Sequence, residues 1–209
     1  MTNDNRPERR QRSDGERSRR TILHAAAQLA TTEGLRGLSI GGLAEHIGMS
    51  KSGLYAHFGS KEELQLATID TAAAIFDAEV TRPALAGDRP IIRLNELLER
   101  FVVHVGSDTF PGGCFFAAAA AELDTHPGRV RARIADFQTG WNRLVVELIT
   151  QAQAAGDIDP DEDPQQLAFE LSAMLAQANA TYVMFTDTHA LDRARVAVAS
   201  RLRRAVPAA

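Results

Sequence analysis

The sequence predicts an all-helical protein with a small three-helix unit near the amino end and a larger helical domain behind it. Three observations carry that expectation. Apolar residues recur every three to four positions along most of the chain, and no run of useful length alternates with the period of two that a half-buried strand needs. Glycine, proline and small capping residues divide this pattern into segments of helical length. Charge is unevenly shared: residues 1–61 carry ten Lys and Arg against six Asp and Glu, whereas residues 62–209 carry thirteen against twenty-one. The net charge of -4 therefore hides a basic amino end suited to phosphates and an acidic remainder that is not.

Residues 1–15 hold Arg6, Arg9, Arg10 and Arg12 among polar neighbours and are expected to be a disordered arm, with Arg17, Arg19 and Arg20 continuing the basic stretch. A first helix is predicted from about Glu16 to Glu33, with Ile22, Ala26, Leu29 and Ala30 inward and Gly34 at its end. Ser39 can cap a second helix whose Ile40, Leu43, Ala44 and Ile47 share one face. Gly48 stops it, and Ser50 caps a third. The pair Gly41-Gly42 costs about 1 kcal/mol per residue relative to alanine, which points to close helix packing there. In the third helix Leu54 and Phe58 lie one turn apart and face inward, leaving Lys51, Ser52, Gly53, Tyr55 and His57 outside. Gly59 ends that helix. Ser60 and Glu63 then form a capping box opening a long fourth helix from Lys61 to about Ala84.

Two short helices joined by a glycine-containing turn, the second presenting polar side chains, make a helix-turn-helix, whose second helix enters the DNA major groove. The candidate DNA-binding residues are Ser39, Ser50, Lys51, Ser52, Gly53, Tyr55, His57 and Lys61. Gly53 would let the reading helix sit close to the duplex, and Lys61 at a helix N-terminus can hold a phosphate. The motif Tyr55-Ala56-His57-Phe58, followed by Gly59-Ser60-Lys61-Glu62-Glu63-Leu64, resembles the Tyr-x-His-Phe and Lys-x-x-Leu signatures of TetR-family transcriptional regulators over residues 17–65. The resemblance implies that Lys51, Ser52, Gly53, Tyr55 and His57 sit on the recognition helix, that Lys61 meets the phosphate backbone, and that the protein is a dimer. The glycine pair departs from the larger residues common early in that family's second helix.

Domain boundaries are expected at 16–60 for the helix-turn-helix unit and 61–209 for a ligand-binding and dimerisation domain. In the latter, Asp88-Arg89-Pro90 opens a helix carrying Ile91, Leu94, Leu98, Phe101 and Val105. Cys114 to Leu123 forms a short apolar helix, Val130 to Ala155 a long one, and Asp163-Pro164 starts another that runs to about Phe185. A last helix holds Leu191, Ala194, Val198 and Leu202. The final two helices carry more apolar stripe than one core needs and are expected to pair with a second copy as an isologous four-helix interface. Phe101, His104, Phe110, Phe115, Phe116, Phe137, Trp141, Met174, Asn179 and Tyr182 suit an apolar cavity with a few orienting polar groups, though periodicity does not separate lining from solid core. His104, Asn179 and Tyr182 are the polar candidates.

Several function classes fit poorly. Gly48 to Gly53 imitates a phosphate loop, but Leu54 and Tyr55 stand where lysine and a hydroxyl residue are needed. The acidic run Asp157 to Asp163 lacks a distal glutamate at calcium-loop spacing and is broken by Pro160, with Pro164 just after it. A di-metal oxygenase needs paired Glu-x-x-His motifs, which are absent, and the six histidines are scattered. No metal, cofactor or catalytic activity is expected. The single Cys114 fits a reducing compartment, and the apolar run Cys114 to Ala121 falls well short of the roughly 20 residues that span a bilayer. The expected protein is a cytoplasmic, ligand-responsive dimer that binds a pseudo-palindromic operator in double-stranded DNA. Repression is the first reading, with activation open to the same parts and a small apolar effector of unknown identity. A helical adaptor that binds only protein would leave Tyr55, His57 and Lys61 without a role.

Overall fold

The computed structural model describes the backbone of residues 6–207 and the side chains of residues 15–207. Nine helices and no strand are found among the described residues. They are α1 (Arg6–Glu33), α2 (Ile40–His46), α3 (Lys51–Phe58), α4 (Lys61–Phe76, with a π turn Asp77–Thr81 and a last turn Arg82–Ala84), α5 (Pro90–Val105), α6 (Phe115–Leu123), α7 (Arg129–Ala154), α8 (Pro164–Phe185) and α9 (His189–Arg204). No described helix is long and apolar enough to cross a membrane.

Helix α1 starts ten residues earlier than the sequence pattern suggests, so residues 6–15 are helical and not the disordered arm expected there; residues 1–5 of that arm lie outside the described part. The cause is local: Pro7 is tolerated in a first turn, and Glu, Arg and Gln are good helix formers that need no apolar face to continue a helix. Arg19 is no part of a free arm either, because its guanidinium lies over the Phe58 ring at 4.7 Å.

The three-helix unit closes on Ala26, Ala27, Leu43 and Leu54, each fully buried. Small residues on α1 let α4 approach it closely. The caps form as the sequence predicts: Ser39, Ser50 and Ser60 accept from Gly42 N, Gly53 N and Glu63 N, each at 3.1 Å. Gly48 and Gly59 both have φ of +69°, the left-handed region that ends a helix. The glycine pair does not mark the close packing expected of it. A methyl at Gly41 would touch only the Lys51 stem, and one at Gly42 only its own cap Ser39, so close packing does not require them.

The larger domain packs α5, α7, α8 and α9 around Leu94, Leu97, Leu98, Val145, Ile149, Leu167 and Leu171, with α4 and α6 entering from the amino-terminal side. Asp163 caps α8 by accepting from Gln165 N at 2.8 Å, and Pro164 holds the first helical position. Arg201 of α9 forks onto Glu162 at 2.7 Å and also meets Glu170, tying the carboxyl end to the start of α8. The acidic linker is thus anchored to α9 through Glu162.

The two domains are joined by more than chain continuity. Gly112 N donates to Thr31 Oγ1 at 3.1 Å, and Gln28 Nε2 donates to the Thr109 carbonyl at 3.2 Å, fixing the α5–α6 loop to α1. A Cβ at Gly112 would fall well inside contact distance of the Thr31 carbonyl, so glycine is required for this approach. Arg129 and Arg133 on α7 reach Glu62, Glu63 and Asp70 on α4.

Candidate nucleic-acid interface and effector cavity

Capping and burial together set the outer face of α3. Leu54 and Phe58 are buried beneath it, which turns Lys51, Ser52 and Tyr55 into solvent, with Tyr55 56% exposed. Ser39 and Ser50 serve as helix caps, so their side-chain oxygens are already occupied by backbone N–H groups at the ends of α2 and α3. Gly53 faces its own cap: a Cβ there would stand 3.0 Å from Ser50 Oγ. His57 is half-buried and lines a cleft between α4 and α7, beside Glu63, Asp70, Arg129 and Arg133. Its position one residue before the anchored Phe58 turns it partly away from the exposed face. Lys61 is exposed and donates to the Arg36 carbonyl in the turn before α2, which uses one of the three N–H groups of its ammonium.

That turn, residues 34–38, is held from two directions. Glu122 at the end of α6 accepts from Leu35 N at 2.7 Å and from Arg36 N at 2.9 Å. Gln65 of α4 donates to the Leu35 carbonyl at 2.7 Å, and Lys61 takes the Arg36 carbonyl. Gly34, with φ of +81°, leaves room for the Glu122 carboxylate that a Cβ would crowd. None of these pairings is visible in local sequence spacing, since Glu122 lies more than eighty residues from its partners.

Behind this turn lies a cavity of about 150 Å³ among α4, α5, α6, α7 and α8, lined by Phe76, Phe101, Cys114, Phe116, Ala117, Phe137, Gln138, Trp141, Ser172, Leu175 and Ala176. Phe76 of the lining is the hub of the aromatic contacts and meets Phe101, Phe116, Phe137 and Trp141 edge-on, with centroids 5.2–6.4 Å apart. Phe116 and Phe137 stack in parallel, leaving no slot between them. Trp141 Nε1 donates to Ser172 Oγ at 3.3 Å.

Of the ten sequence candidates for this cavity, Phe101, Phe116, Phe137 and Trp141 line it, and the other six lie elsewhere. Phe115 is solid core against Phe110 and Phe116. His104 is buried one turn beyond Phe101 and pairs through Nδ1 with Glu79 of the π turn at 2.7 Å, while its Nε2 is buried without a partner among the described residues. Asn179 is committed to the backbone, its Oδ1 accepting from Cys114 N at 2.8 Å. Tyr182 packs half-buried against the core, and Met174 lines a surface groove between α8 and α9. His104 and Asn179 lie elsewhere because a carboxylate and a backbone partner claim them first. Phe76, Gln138 and Ser172 were missed. Their signal was available only as one-turn neighbours of other wall residues, as with Ser172, Leu175 and Ala176 on α8.

Cys114 is fully buried at the start of α6, and burial pushes its thiol above the ordinary range. Among the described residues no group of His, Cys, Asp and Glu could hold a metal ion.

The family model described as Tetracyclin repressor-like, C-terminal domain, matches residues 90–198, and the one described as Bacterial regulatory proteins, tetR family, matches residues 22–68. The chain belongs to the TetR family. It is therefore a DNA-binding transcriptional regulator, with α2 and α3 as its helix-turn-helix. A TetR transcriptional regulator from Chloroflexus aurantiacus J-10-FL superimposes with a TM-score of 0.85 at 26% identity, covering 94% of this chain and all of that one. A cysteine mutant of the TetR-family regulator CifR, solved with a 26-base-pair operator, gives a TM-score of 0.73 at 25% identity over 90% of this chain and 95% of its own. The transcriptional regulator AcuR of Cereibacter sphaeroides is 23% identical over 156 residues, 74% of this chain and 71% of AcuR.

Proposed function

We propose that this TetR-family regulator is a homodimeric repressor released from its operator by a small effector bound in the aromatic cavity. The observation that carries the reading is the convergence of Lys61, Gln65 and Glu122 on residues 35 and 36, because the helices that bear these side chains also wall the cavity. Helix α6 places Phe116 and Ala117 in the wall and Glu122 on the turn, about 9 Å further along its axis. Helix α4 does the same with Phe76 at one end and Gln65 and Lys61 at the other. An occupant that shifts either wall moves the turn that sets the pose of α2 and α3.

Operator reading then falls to Lys51, Ser52 and Tyr55 on the exposed face of α3, with Lys61 and the amino end of α4 beside the phosphates. Dimerisation is assigned to α8 and α9, where Phe169, Met184, Phe185 and Val196 are each about 70% exposed in the single chain, beside the groove that holds Met174. Two such subunits place their reading helices in half-sites about 34–36 Å apart, so a modest change in separation costs both contacts at once. The test is selection of duplex fragments by the purified protein, followed by titration of candidate effectors against the selected operator. Recovery of a two-fold repeat whose complex a ligand dissolves supports the proposal; indifference to duplex sequence at low salt overturns it.

A further inference from the structure

The geometry points to a specific chemical class for the cavity: an uncharged, single-ring aromatic molecule carrying one oxygen that accepts a hydrogen bond. This inference rests on the reading of the cavity as the effector site. Size comes first. At about 150 Å³ the space equals that of an engineered apolar cavity that holds benzene, so one six-membered ring fits and a fused bicycle does not. Shape comes second, because Phe76, Phe101, Phe137 and Trp141 surround it with ring edges and faces that favour offset or edge-on contact with another flat ring.

Charge and polarity complete the class. No Lys, Arg, His, Asp or Glu belongs to the lining, so a carboxylate or ammonium buried there would lose its water without gaining a counter-ion. Ser172 supplies the orienting group. Its Oγ already accepts from Trp141 Nε1, and its own O–H has no acceptor among the described residues, which leaves one donor for a hydroxyl or carbonyl oxygen of the ligand.

The protein carries its own reporter, since Trp141 is the single tryptophan of the chain and stands in the wall. The experiment titrates the full-length protein with benzyl alcohol, toluene, benzoate and 2-naphthol, reading Trp141 fluorescence and calorimetric heat. Benzyl alcohol is expected to saturate with a dissociation constant below about 1 mM. Toluene follows several-fold weaker, and benzoate and 2-naphthol at least tenfold weaker. Ser172→Ala is expected to weaken benzyl alcohol three- to tenfold and leave toluene unchanged. Benzoate or 2-naphthol binding more tightly than benzyl alcohol, or no saturable response from the whole series, overturns the ligand class. Operator release is scored separately. Tight binding of benzyl alcohol without release supports the ligand class and sinks its regulatory use. Release by a charged or larger molecule, with no response to the single rings, sinks the ligand class and leaves the regulatory reading standing.

Discussion

Replacing Glu122 by alanine removes the α6 side chain that holds the backbone before the helix-turn-helix. Two N–H groups lose their acceptor. Arg36 is exposed and water can serve its amide, so that loss is discounted to near zero. Leu35 is 1% exposed, and its amide, previously bonded to a carboxylate at 2.7 Å, is stranded at a cost of about 1.5–3 kcal/mol. For a chain of this length each kcal/mol moves the melting temperature by about 2–4 °C, so a fall of about 3–12 °C is expected by calorimetry. Glu122→Gln keeps one neutral acceptor and is expected to lose roughly half as much. The same variant tests coupling. With the α6 clamp gone, operator affinity measured by fluorescence anisotropy is expected to respond less to an effector, while effector binding itself is kept. A Glu122→Ala protein that melts within about 1 °C of the parent and keeps its full effector response would refute this account.

Other outcomes follow from the same geometry. Tyr55→Ala is expected to weaken the selected operator more than random duplex, whereas Lys61→Ala weakens all duplexes alike and lowers the salt slope by about one; filter binding across a salt series distinguishes them. Gly112→Ala forces a methyl against the Thr31 carbonyl and is expected to cost about 1–3 kcal/mol, read as a lower denaturation midpoint. Val196→Glu puts a charge on the exposed apolar face of α9 and is expected to yield monomers in sedimentation. The raised Cys114 thiol predicts slow reaction with a disulfide reagent at neutral pH and rapid reaction once unfolded. Its sign in stability follows: the contribution is intact below the unfolded thiol's range and is lost as pH rises from there through the folded one.

How much of this was legible in the sequence depended on the range of the physics. Caps act over three residues, so Ser39, Ser50 and Ser60 could be assigned from spacing, as could Gly48 and Gly59 at the helix ends. Helical periodicity likewise located α4 to α8 to within a residue or two. Burial of the aromatic residues could also be anticipated, but not which of them face empty space, because Phe115 and Phe116 are adjacent and only the second reaches the cavity. Polar partners were the least legible. Asn179 looked like a ligand group and instead completes the start of α6, and Glu122 gave no signal because its two donors are backbone amides of another domain. His57 shows the same limit in miniature. Its sequence position puts it on the reading helix, yet the cleft beside Glu63 and Arg133 takes up part of its ring.

The energetic scale of the switch agrees with what these parts can supply. Moving a two-state regulator from 99:1 bound-competent to 1:99 takes a ligand preference of about 10⁴, or about 5.5 kcal/mol. Shared between two cavities of a dimer, that is about a hundredfold, or roughly 2.7 kcal/mol, per subunit. A single ring with one hydrogen bond can express such a preference if one conformation offers the aromatic wall and the other withdraws it. The stranded Leu35 amide that follows loss of the Glu122 contact is of the same size, about 1.5–3 kcal/mol. One small ligand and one carboxylate clamp are thus matched in energy, which is the condition for the first to open the second. A clamp much stronger than this would hold the turn against any ligand the cavity can admit, and a much weaker one would leave the DNA-reading helices unresponsive to the cavity.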